Sequence, residues 1–499
     1  MTRPRFDPSP CSNSLQVPSL ASSWLPLLAS SADFPLELFE TAVSQLIYHP
    51  EYNSTLILRS DTVAESIADF PALAPVLQGV EPLRNIHRIL LPRRPGRDAS
   101  LEQHCTLYGA HSVANTLVLT PIVPPGGSLP YYHPPVSHLA FRYLSTTPPS
   151  IRIEVVLLSP DDTPTDPGSR LYRTCLALLD ALHRYGWGAV TNYKKRVQHD
   201  CVVPREAYQD LYLVMRERFK GLVDTWVEST DPLKHVFEDI GIATFLILLW
   251  KDTYPPPAAS DVPPDEPWRG WGQPPGGFLD FGCGNGLLTH ILVSCGYAGL
   301  GIDLRARTSW QTYPAPTQAC LRVIAFDPTA LAPDAPPSAY AYTAPGQFVV
   351  ANHADELTPW APLLATRARA GGFLSIPCCA WTFDARFERG MTGARAGVLF
   401  ADGPLAALVA RLNLGADNGN TSGYAQYRIW LARLARHCGW EVECEVLRIP
   451  STRNWALVGR KRIGSEEEAQ ANVDAILQGV KERGIFKART PEGKAGKDH

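Results

Sequence analysis

Hydrophobic and polar positions alternate in different ways along successive stretches of the chain. From about residue 21 to 190, short runs rich in β-branched and aromatic side chains are separated by Pro/Gly turns, a pattern typical of strands. These runs are Ile86–Leu91, His104–Tyr108, Thr116–Val123, His138–Leu144 and Ile151–Leu158. Apolar residues at helical spacing predict helices at 34–48 and 169–186. We therefore predict an α+β N-terminal domain over 21–190, after a loose Pro/Ser-rich segment, 1–20.

Residues 191–253 carry a helical pattern instead. Pro204 suits the first turn of one helix, and Thr230 or Asp231 can cap a second helix that has Pro232 just inside it. The stretch 254–276 that follows is rich in Pro, Gly and Trp and has no periodicity. We interpret it as a linker or an exposed loop.

Strand and helix patterns alternate from 277 to 462, which predicts a mostly parallel sheet. Helices are expected at 360–370 and 424–438. The predicted strands are Phe278–Phe281, Ala298–Asp303, Leu321–Phe326, Gln347–Ala351, Phe373–Ile376, Glu441–Ile449 and Asn454–Val458. The charged tail, 463–499, is predicted to be mobile, with one helix near 465–482.

Composition narrows the functional classes. The 499 residues have a formal net charge of −3, so contact with nucleic acid requires a local basic patch. The 11 cysteines are odd in number and lack Cys-x-x-Cys spacing, which disfavours disulfides and structural zinc. We expect a reducing, cytoplasmic location and no bound metal. The longest apolar run, Ile240–Trp250, is too short to span a bilayer, so no membrane association is expected.

The segment 278–288 contains the most informative motif. An apolar strand is followed by Asp280 and then by Gly282, Gly284 and Gly286, after which a helix begins. Glycines leave no Cβ between backbone and ligand, and the helix N-terminus offers unpaired N–H groups. The spacing differs from the dinucleotide motif. It resembles motif I of the class I S-adenosylmethionine methyltransferases; the alternative is an ordinary Gly-rich turn.

Acidic residues end the next two predicted strands. Asp303 can accept hydrogen bonds from both ribose hydroxyls of a nucleoside cofactor, and Asp327 can reach the adenine amino group. The alternatives are a solvent-facing or helix-capping Asp303 and a turn-initiating Asp327-Pro328.

Polar side chains also follow strands four and five. Asn352, His353, Asp355 and Glu356 can orient or deprotonate a hydroxyl, although Asp355 and Glu356 could simply cap the next helix. Cys378 and Cys379 stand where pyrimidine C5 methyltransferases carry a nucleophile. Two small buried thiols are the alternative that we favour there.

Two basic segments are candidates for RNA contact. One comprises Lys194, Lys195 and Arg196, with Arg205 nearby, and the other contains Arg448 and Arg453. Such side chains bind phosphates. Solvated surface charge is the alternative.

Together these motifs resemble a family, the tRNA (uracil-2′-O-)-methyltransferases that modify uridine forty-four of serine tRNA. The resemblance covers about 191–462. Its most specific parts are the segment 352–360 (Asn-His-Ala-Asp-Glu-Leu-Thr-Pro-Trp) and the segment 448–454 (Arg-Ile-Pro-Ser-Thr-Arg-Asn).

The resemblance implies a Rossmann-like class I methyltransferase domain, with a seven-stranded, mostly parallel sheet, over 277–462. It also implies S-adenosylmethionine as cofactor and serine tRNA as partner. The implied catalytic residues are Asp355, Glu356 and Lys195. The implied cofactor-binding residues are Asp280, Gly282, Gly284, Gly286, Asp303, Asp327 and Asn352. The implied RNA-binding residues are Lys194, Lys195, Arg196, Arg205, Arg448 and Arg453.

Two other functions remain open from the sequence. One is an RNA pyrimidine C5 methyltransferase with Cys378 or Cys379 as nucleophile. The other is a catalytically dead RNA-binding scaffold.

Overall fold

The structure is a computed structural model in which the chain divides into two compact units, Met1–Lys194 and Lys195–His499. It describes residues 3–11, 24–124, 126–158, 165–193, 199–257, 262–331, 340–383, 385–388, 405–412 and 422–484. None of the helices in these ranges is long and apolar enough to cross a membrane.

The first unit is built on an antiparallel sheet of eight strands. The strands are β1 (Ser9–Pro10), β2 (Leu25–Ser31), β3 (Ile57–Ser66), β4 (Glu81–Pro92), β5 (Leu101–Ala110), β6 (Val113–Ile122), β7 (Val136–Leu144) and β8 (Ser150–Leu157). Their order is β1-β2-β8-β7-β6-β5-β4-β3. Helices α1 (Phe39–Tyr48) and α2 (Arg170–Val190) share a hydrophobic core with the sheet. The α+β prediction is confirmed.

All five predicted strand runs lie in β4–β8, but β1, β2 and β3 were missed. Pro26 interrupts the β2 pattern, and the second half of β3 is exposed, so neither segment alternates clearly. The prediction that 1–20 is loose is wrong for Ser9–Pro10, which pair with β2. Residues 12–20 lie outside the described ranges.

Ser169 begins α2 as an N-cap, because its hydroxyl accepts a hydrogen bond from the Tyr172 N–H at 3.1 Å. One face of α2 is buried, through Leu171, Cys175, Leu179 and Leu182.

The second unit contains a seven-stranded sheet. Its strands are β9 (Phe278–Phe281), β10 (Gly299–Asp303), β11 (Leu321–Val323), β12 (Phe348–Asn352), β13 (Gly372–Ile376), β14 (Trp440–Val446) and β15 (Trp455–Arg462). The order is β11-β10-β9-β12-β13-β15-β14. Strand β15 is antiparallel to both neighbours, and the other pairs are parallel. The carboxyl ends of β9, β10 and β12 therefore meet at one edge of the sheet.

Apolar layers cover both faces of this sheet, because successive strand residues point to opposite sides. Leu279 and Phe281 belong to one buried cluster, whereas Phe278 belongs to the other. Helices of the first layer are α7 (Trp360–Arg367), α9 (Gly423–His437) and α10 (Glu466–Arg483). Helices of the second layer are α3 (Arg205–Phe219), α4 (Pro232–Thr253) and α5 (Leu287–Ser294). Two short helices, α6 (Ala315–Gln318) and α8 (Leu405–Leu412), complete the unit.

One sequence expectation is corrected here. The stretch 254–276 is not simply a linker or exposed loop, because Trp268, in a 3-10 turn at Pro267–Gly270, is fully buried in the second layer. The tail forms the predicted helix near 465–482, over Glu466–Arg483, and this helix packs on the first layer. Helix α10 buries Ala469, Val473, Ile476, Leu477 and Val480, whose helical spacing forms one apolar face.

Candidate active site

The glycine turn lies between β9 and α5, at the sheet edge where the strand ends meet. Gly282, Gly284 and Gly286 all have positive φ, at 82°, 53° and 73°. A Cβ on Gly284 would meet no atom within 4 Å, whereas one on Gly286 would lie 3.0 Å from the Leu321 side chain. Gly284 therefore faces open space, whereas a Cβ at Gly286 would press on the Leu321 side chain of β11.

A pocket of about 440 Å³ opens beside Gly284. Of the predicted site residues, the structure places Asp280, Gly282, Gly284, Asn352, Asp355 and Arg453 in its lining. Its other lining residues are Lys234, His235, Glu238, Asp239, Cys283, Asn285, Leu288, His353, Cys378, Ser451 and Thr452. Gly286, Asp303, Asp327, Glu356, Arg205 and Arg448 are not among the described lining residues, and Lys194, Lys195 and Arg196 lie outside the described ranges.

Asp303 holds the glycine turn. Its Oδ2 accepts a hydrogen bond from the Gly284 N–H at 2.9 Å, and its Oδ1 accepts one from the Arg305 N–H at 3.3 Å. The carboxylate thus fixes the shape of the turn, and binding of a ribose by Asp303 stays a prediction.

Two acidic side chains lie at the base of the pocket. Asp280 is 1% exposed and accepts a hydrogen bond from the Thr289 hydroxyl at 2.8 Å. Burial raises the pKa of Asp280 to about 7. Burial also raises the pKa of Asp239, and the nearby carboxylates of Asp280 and Glu238 raise it further. A cationic group in the pocket would stabilise both carboxylates in their charged forms.

The raised pKa of Asp280 predicts a pH-dependent stability. Between about pH 4 and pH 7 the carboxyl ionises in the unfolded chain but stays protonated in the folded one, so stability is lost as pH rises. Asp280→Asn cannot ionise. We expect its unfolding free energy, relative to wild type, to rise by about 2–4 kcal/mol between pH 4 and pH 8.

Thermal unfolding followed across this pH range measures the difference. Asp224→Asn, at an exposed position of the same unit, is the matched control and should show no such trend. A constant difference between Asp280→Asn and wild type would contradict the assignment.

Asn352 carries an unused hydrogen-bonding atom at the pocket. Its Nδ2 donates to Asp239 Oδ1 at 3.1 Å, while its Oδ1 is buried and has no partner among the described residues. A buried polar atom without a partner is costly. A ligand N–H donor in the pocket would satisfy it.

The loop after β12 has an unusual backbone. His353 and Asp355 have φ of 49° and 45°, in the left-handed region of backbone conformation that residues other than glycine seldom adopt. Such conformations persist where the surroundings impose them, and they cluster at functional sites. This loop therefore supports the location of the site independently of the glycine turn.

His353 is paired with a buried acid. Its Nε2 lies 3.0 Å from Glu238 Oε1, and Glu238 is 5% exposed. Burial raises the pKa of Glu238, but hydrogen bonds from His353 and Ser451 lower it more, so the net pKa lies below its ordinary value. An ionised Glu238 accepts the Nε2 proton, which leaves Nδ1 as the ring nitrogen that can accept another.

Cys378 donates a hydrogen bond to Asp355, with its Sγ 3.0 Å from Oδ1. Burial raises the pKa of Cys378, and Asp355 raises it further; the same two causes act on Cys379. Both thiols therefore stay protonated at neutral pH, which disfavours them as nucleophiles. The ligand atoms of Asp355, Cys378 and Cys379 lie within 4.8 Å of one another, a set that could hold a cation, so the expected absence of metal stays a prediction.

The basic residues differ in their surroundings. Arg453 lines the pocket and stacks on Tyr424, with its guanidinium 4.1 Å from the ring centroid. Arg448 Nε donates to Asp200 Oδ1 at 2.8 Å, and Arg205 Nε donates to Glu206 Oε1 at 3.1 Å. Of the RNA-binding candidates that the structure describes, Arg205, Arg448 and Arg453, only Arg453 lines the pocket.

Sequence reasoning did not include Glu238 and Asp239 among the site residues. The two acids lie in α4, which is otherwise strongly apolar from Val236 to Trp250. Adjacent acids in a buried helix are costly without a function, and that signal could have identified them.

Comparisons with known proteins extend across both units. A family described as "TRM44-like, N-terminal bet v1-like domain" matches residues 6–196, and one described as "Predicted AdoMet-dependent methyltransferase" matches 202–263 and 268–328. No solved structure matches the chain.

Curated relatives are each named tRNA (uracil-O(2)-)-methyltransferase. The protein from Schizosaccharomyces pombe is 35% identical over 89% of this chain and 86% of its own length. The Neurospora crassa protein is 33% identical over 96% of this chain and 94% of its own length. The Eremothecium gossypii protein is 31% identical over 89% of this chain and 90% of its own length. The resemblance noted from the motifs is confirmed: the chain belongs to the family of tRNA (uracil-O(2)-)-methyltransferases, whose methyl donor is S-adenosylmethionine.

Proposed function

We propose that this chain transfers a methyl group from S-adenosylmethionine to the ribose 2′-oxygen of a uridine in tRNA, at position forty-four of serine tRNA. The observation that carries the proposal is the pocket beside Gly284, at the carboxyl ends of β9 and β12, in a chain whose relatives are named for this reaction. The order of the seven strands supports a Rossmann-like class I domain over about 277–462. The 11 cysteines, which are scattered and lack Cys-x-x-Cys spacing, support a reducing, cytoplasmic location.

The pocket fits the cofactor in shape and charge. Bare backbone at Gly284 leaves room for it, and Asp239 and Asp280 offer carboxylates to its cationic groups. Asn352 Oδ1 offers an unused acceptor. When bound, the cofactor supplies a methyl group activated by a sulfonium centre. Asp303, at the end of β10, would hold its ribose, and Asp327, in the segment that follows β11, would hold its adenine.

The hydroxyl proton must be removed as the 2′-oxygen attacks. We propose His353 as the general base, with Glu238 holding the imidazole in the tautomer that leaves Nδ1 free to accept the proton. Asp355, which also lines the pocket, would orient the ribose. Glu356 and Lys195, the other two candidates from the sequence, stay predictions.

RNA binding is assigned to the basic residues near the pocket. Arg453 would contact the phosphate beside the target uridine, because it lines the pocket. Arg448 and Arg205 would contribute more distant phosphate contacts. RNA contacts by Lys194, Lys195 and Arg196 stay predictions. Such contacts make tRNA binding fall with added salt.

Nucleoside analysis tests the reaction. A tRNA pool lacking the modification, incubated with the protein and labelled S-adenosylmethionine, should yield label in 2′-O-methyluridine. The methyl group should remain with the sugar after the glycosidic bond is cleaved. Label in 5-methyluridine would support the pyrimidine C5 alternative. A failure of S-adenosylmethionine to bind, measured by calorimetry, would support the scaffold alternative.

Replacing Cys378 with alanine distinguishes 2′-O methylation from pyrimidine C5 methylation. We expect Cys378→Ala to keep the methylation rate within about threefold of wild type, because a protonated thiol does not act as a nucleophile. Cys444→Ala, which removes a thiol that does not line the pocket, is the control. A total loss of turnover in Cys378→Ala, with covalent RNA trapped on wild type, would contradict 2′-O transfer.

A further inference from the structure

The loop between β4 and β5, in the first unit, carries three arginines. Arg93, Arg94 and Arg97 are all exposed. Backbone hydrogen bonds hold this loop: the Arg93 N–H donates to the Leu56 carbonyl at 2.9 Å, and the Arg97 N–H donates to the Arg94 carbonyl at 2.9 Å. Three cations are therefore concentrated on one short turn.

Two further arginines lie at the start of α2, beside an exposed tyrosine. Arg170 Nη2 donates to the carbonyls of Tyr131 and His133, and its guanidinium lies 4.1 Å from the centroid of the Tyr131 ring. Arg173 is exposed and lies one turn further along the same side of the helix. Tyr131 is 65% exposed, so its ring stays accessible although Arg170 stacks on it.

The two groups of arginines belong to one surface. The Tyr132 hydroxyl donates to the Ala99 carbonyl at 2.8 Å, which joins the segment that carries Tyr131 to the β4–β5 loop. The Tyr132 ring also packs against Leu90 and Leu101, near the ends of the two strands that this loop connects. The arginine patch, as we call this surface, comprises Arg93, Arg94, Arg97, Arg170 and Arg173.

The charge of the arginine patch is not neutralised by ion pairs within the described ranges. Arg93 Nε donates to the Ile57 carbonyl at 3.1 Å, and none of the five guanidinium groups has a carboxylate oxygen of a described residue within 4.0 Å. Asp98, the acid on the same loop, pairs with none of them. Elsewhere on this unit, four arginines each have such a carboxylate partner: Arg3, Arg59, Arg84 and Arg184.

Unpaired exposed arginines beside an accessible aromatic ring suit an RNA chain. Guanidinium groups bind phosphate oxygens through two parallel hydrogen bonds, and aromatic rings stack on the unpaired bases of single-stranded segments. The chain as a whole has a net charge of −3, so contact with RNA requires a local cluster of this kind.

We propose that the arginine patch binds the phosphate backbone of the tRNA substrate, with an unpaired base stacked on Tyr131. The identity of the RNA rests on the proposed function. The patch adds a contact surface on the first unit to the basic residues already assigned on the second. It contributes affinity for tRNA and takes no part in the transfer of the methyl group.

Filter binding of unmodified serine tRNA to the full chain tests this proposal. Arg94→Gln combined with Arg97→Gln should weaken binding at least tenfold. It should also reduce the slope of log affinity against log salt by about 2, because two phosphate contacts are lost. Arg5→Gln combined with Arg184→Gln is the matched control, since it removes the same charge from exposed positions outside the patch. Arg184 lies about 16 Å beyond Arg173 along α2. The control should bind within twofold of wild type.

Two single variants test the other half of the surface. Arg173→Gln should weaken tRNA binding about threefold or more and reduce the salt slope by about 1. Tyr131→Leu should weaken binding about fivefold or more with an unchanged salt slope, because stacking involves no phosphate charge. An unchanged affinity in Tyr131→Leu would overturn the stacked base.

Steady-state methylation separates this proposal from the proposed function. The Arg94/Arg97 variant should raise the KM for tRNA about tenfold and leave kcat unchanged. Patch-dependent tRNA binding without any 2′-O-methyluridine would overturn the proposed function and support the patch.

Two results would overturn the patch as a tRNA-binding surface. One is equal tRNA affinity and equal salt slope in the Arg94/Arg97 variant and the matched control. The other is unchanged tRNA binding in the Arg94/Arg97 variant together with lost binding to vesicles of phosphatidylserine and phosphatidylcholine in equal parts, which would assign the surface to an anionic membrane.

Discussion

Replacing His353 with alanine will lower the rate constant for methyl transfer by about 10²- to 10⁴-fold, the usual contribution of a general base. The imidazole has the geometry for that role, since Glu238 Oε1 binds Nε2 at 3.0 Å and the residue lines the pocket. Binding of S-adenosylmethionine and of tRNA should change little, because neither depends on the proton acceptor. Single-turnover rates at saturating tRNA, with separate binding titrations, measure this prediction.

A matched control exists for this substitution. His111 has φ of 51°, close to the 49° of His353, but does not line the pocket. His111→Ala therefore removes the same side chain from the same kind of backbone and should leave the rate unchanged. Glu238→Gln should lower the rate less than His353→Ala does. The substitution disturbs the tautomer of the His353 imidazole but leaves this base in place. A rate within threefold of wild type in His353→Ala would mean that another group accepts the 2′-hydroxyl proton. Asp355 would be the first alternative.

Replacing Gly284 with valine will weaken S-adenosylmethionine binding by about 100-fold or more, equivalent to at least ~2.7 kcal/mol. The residue has φ of 53°, which a β-branched side chain adopts only with strain, and its Cβ would project into the open pocket. Binding of tRNA should be affected much less. Calorimetric titration with the cofactor and filter binding of tRNA measure the two affinities.

Gly79 provides the control for backbone strain. It has φ of 74°, a Cβ there would also meet no atom within 4 Å, and it does not line the pocket. Gly79→Val should bind the cofactor like wild type. If folded Gly284→Val lost cofactor and tRNA binding equally, the site would be placed wrongly.

The glycine turn was predictable because its residue types are dictated by backbone geometry and by the space that a ligand needs. Gly284 and Asp280 accordingly lie where the motif placed them, in the pocket wall. Strand β3 was not predictable in the same way, since its exposed half lacks the alternation that burial imposes. Helix α10 was found as a helix, but its charges concealed the apolar face that packs on the core.

The side-chain contacts within the site could not be predicted from the motifs, because their partners are distant in sequence. The contact between His353 and Glu238 joins residues 115 positions apart, and that between Asn352 and Asp239 joins residues 113 apart. No local pattern encodes such a pair. Asp303 likewise carries the predicted residue type at the predicted strand end, yet the structure shows it holding the Gly284 N–H.

A crystal structure of the chain with S-adenosylhomocysteine tests the central claim most directly. The ligand should lie against the backbone of Gly282 and Gly284, with its amino group near Asp239 or Asp280 and its sulfur facing His353. A ligand bound elsewhere, or a pocket closed by side chains beside Gly284, would contradict the proposed site.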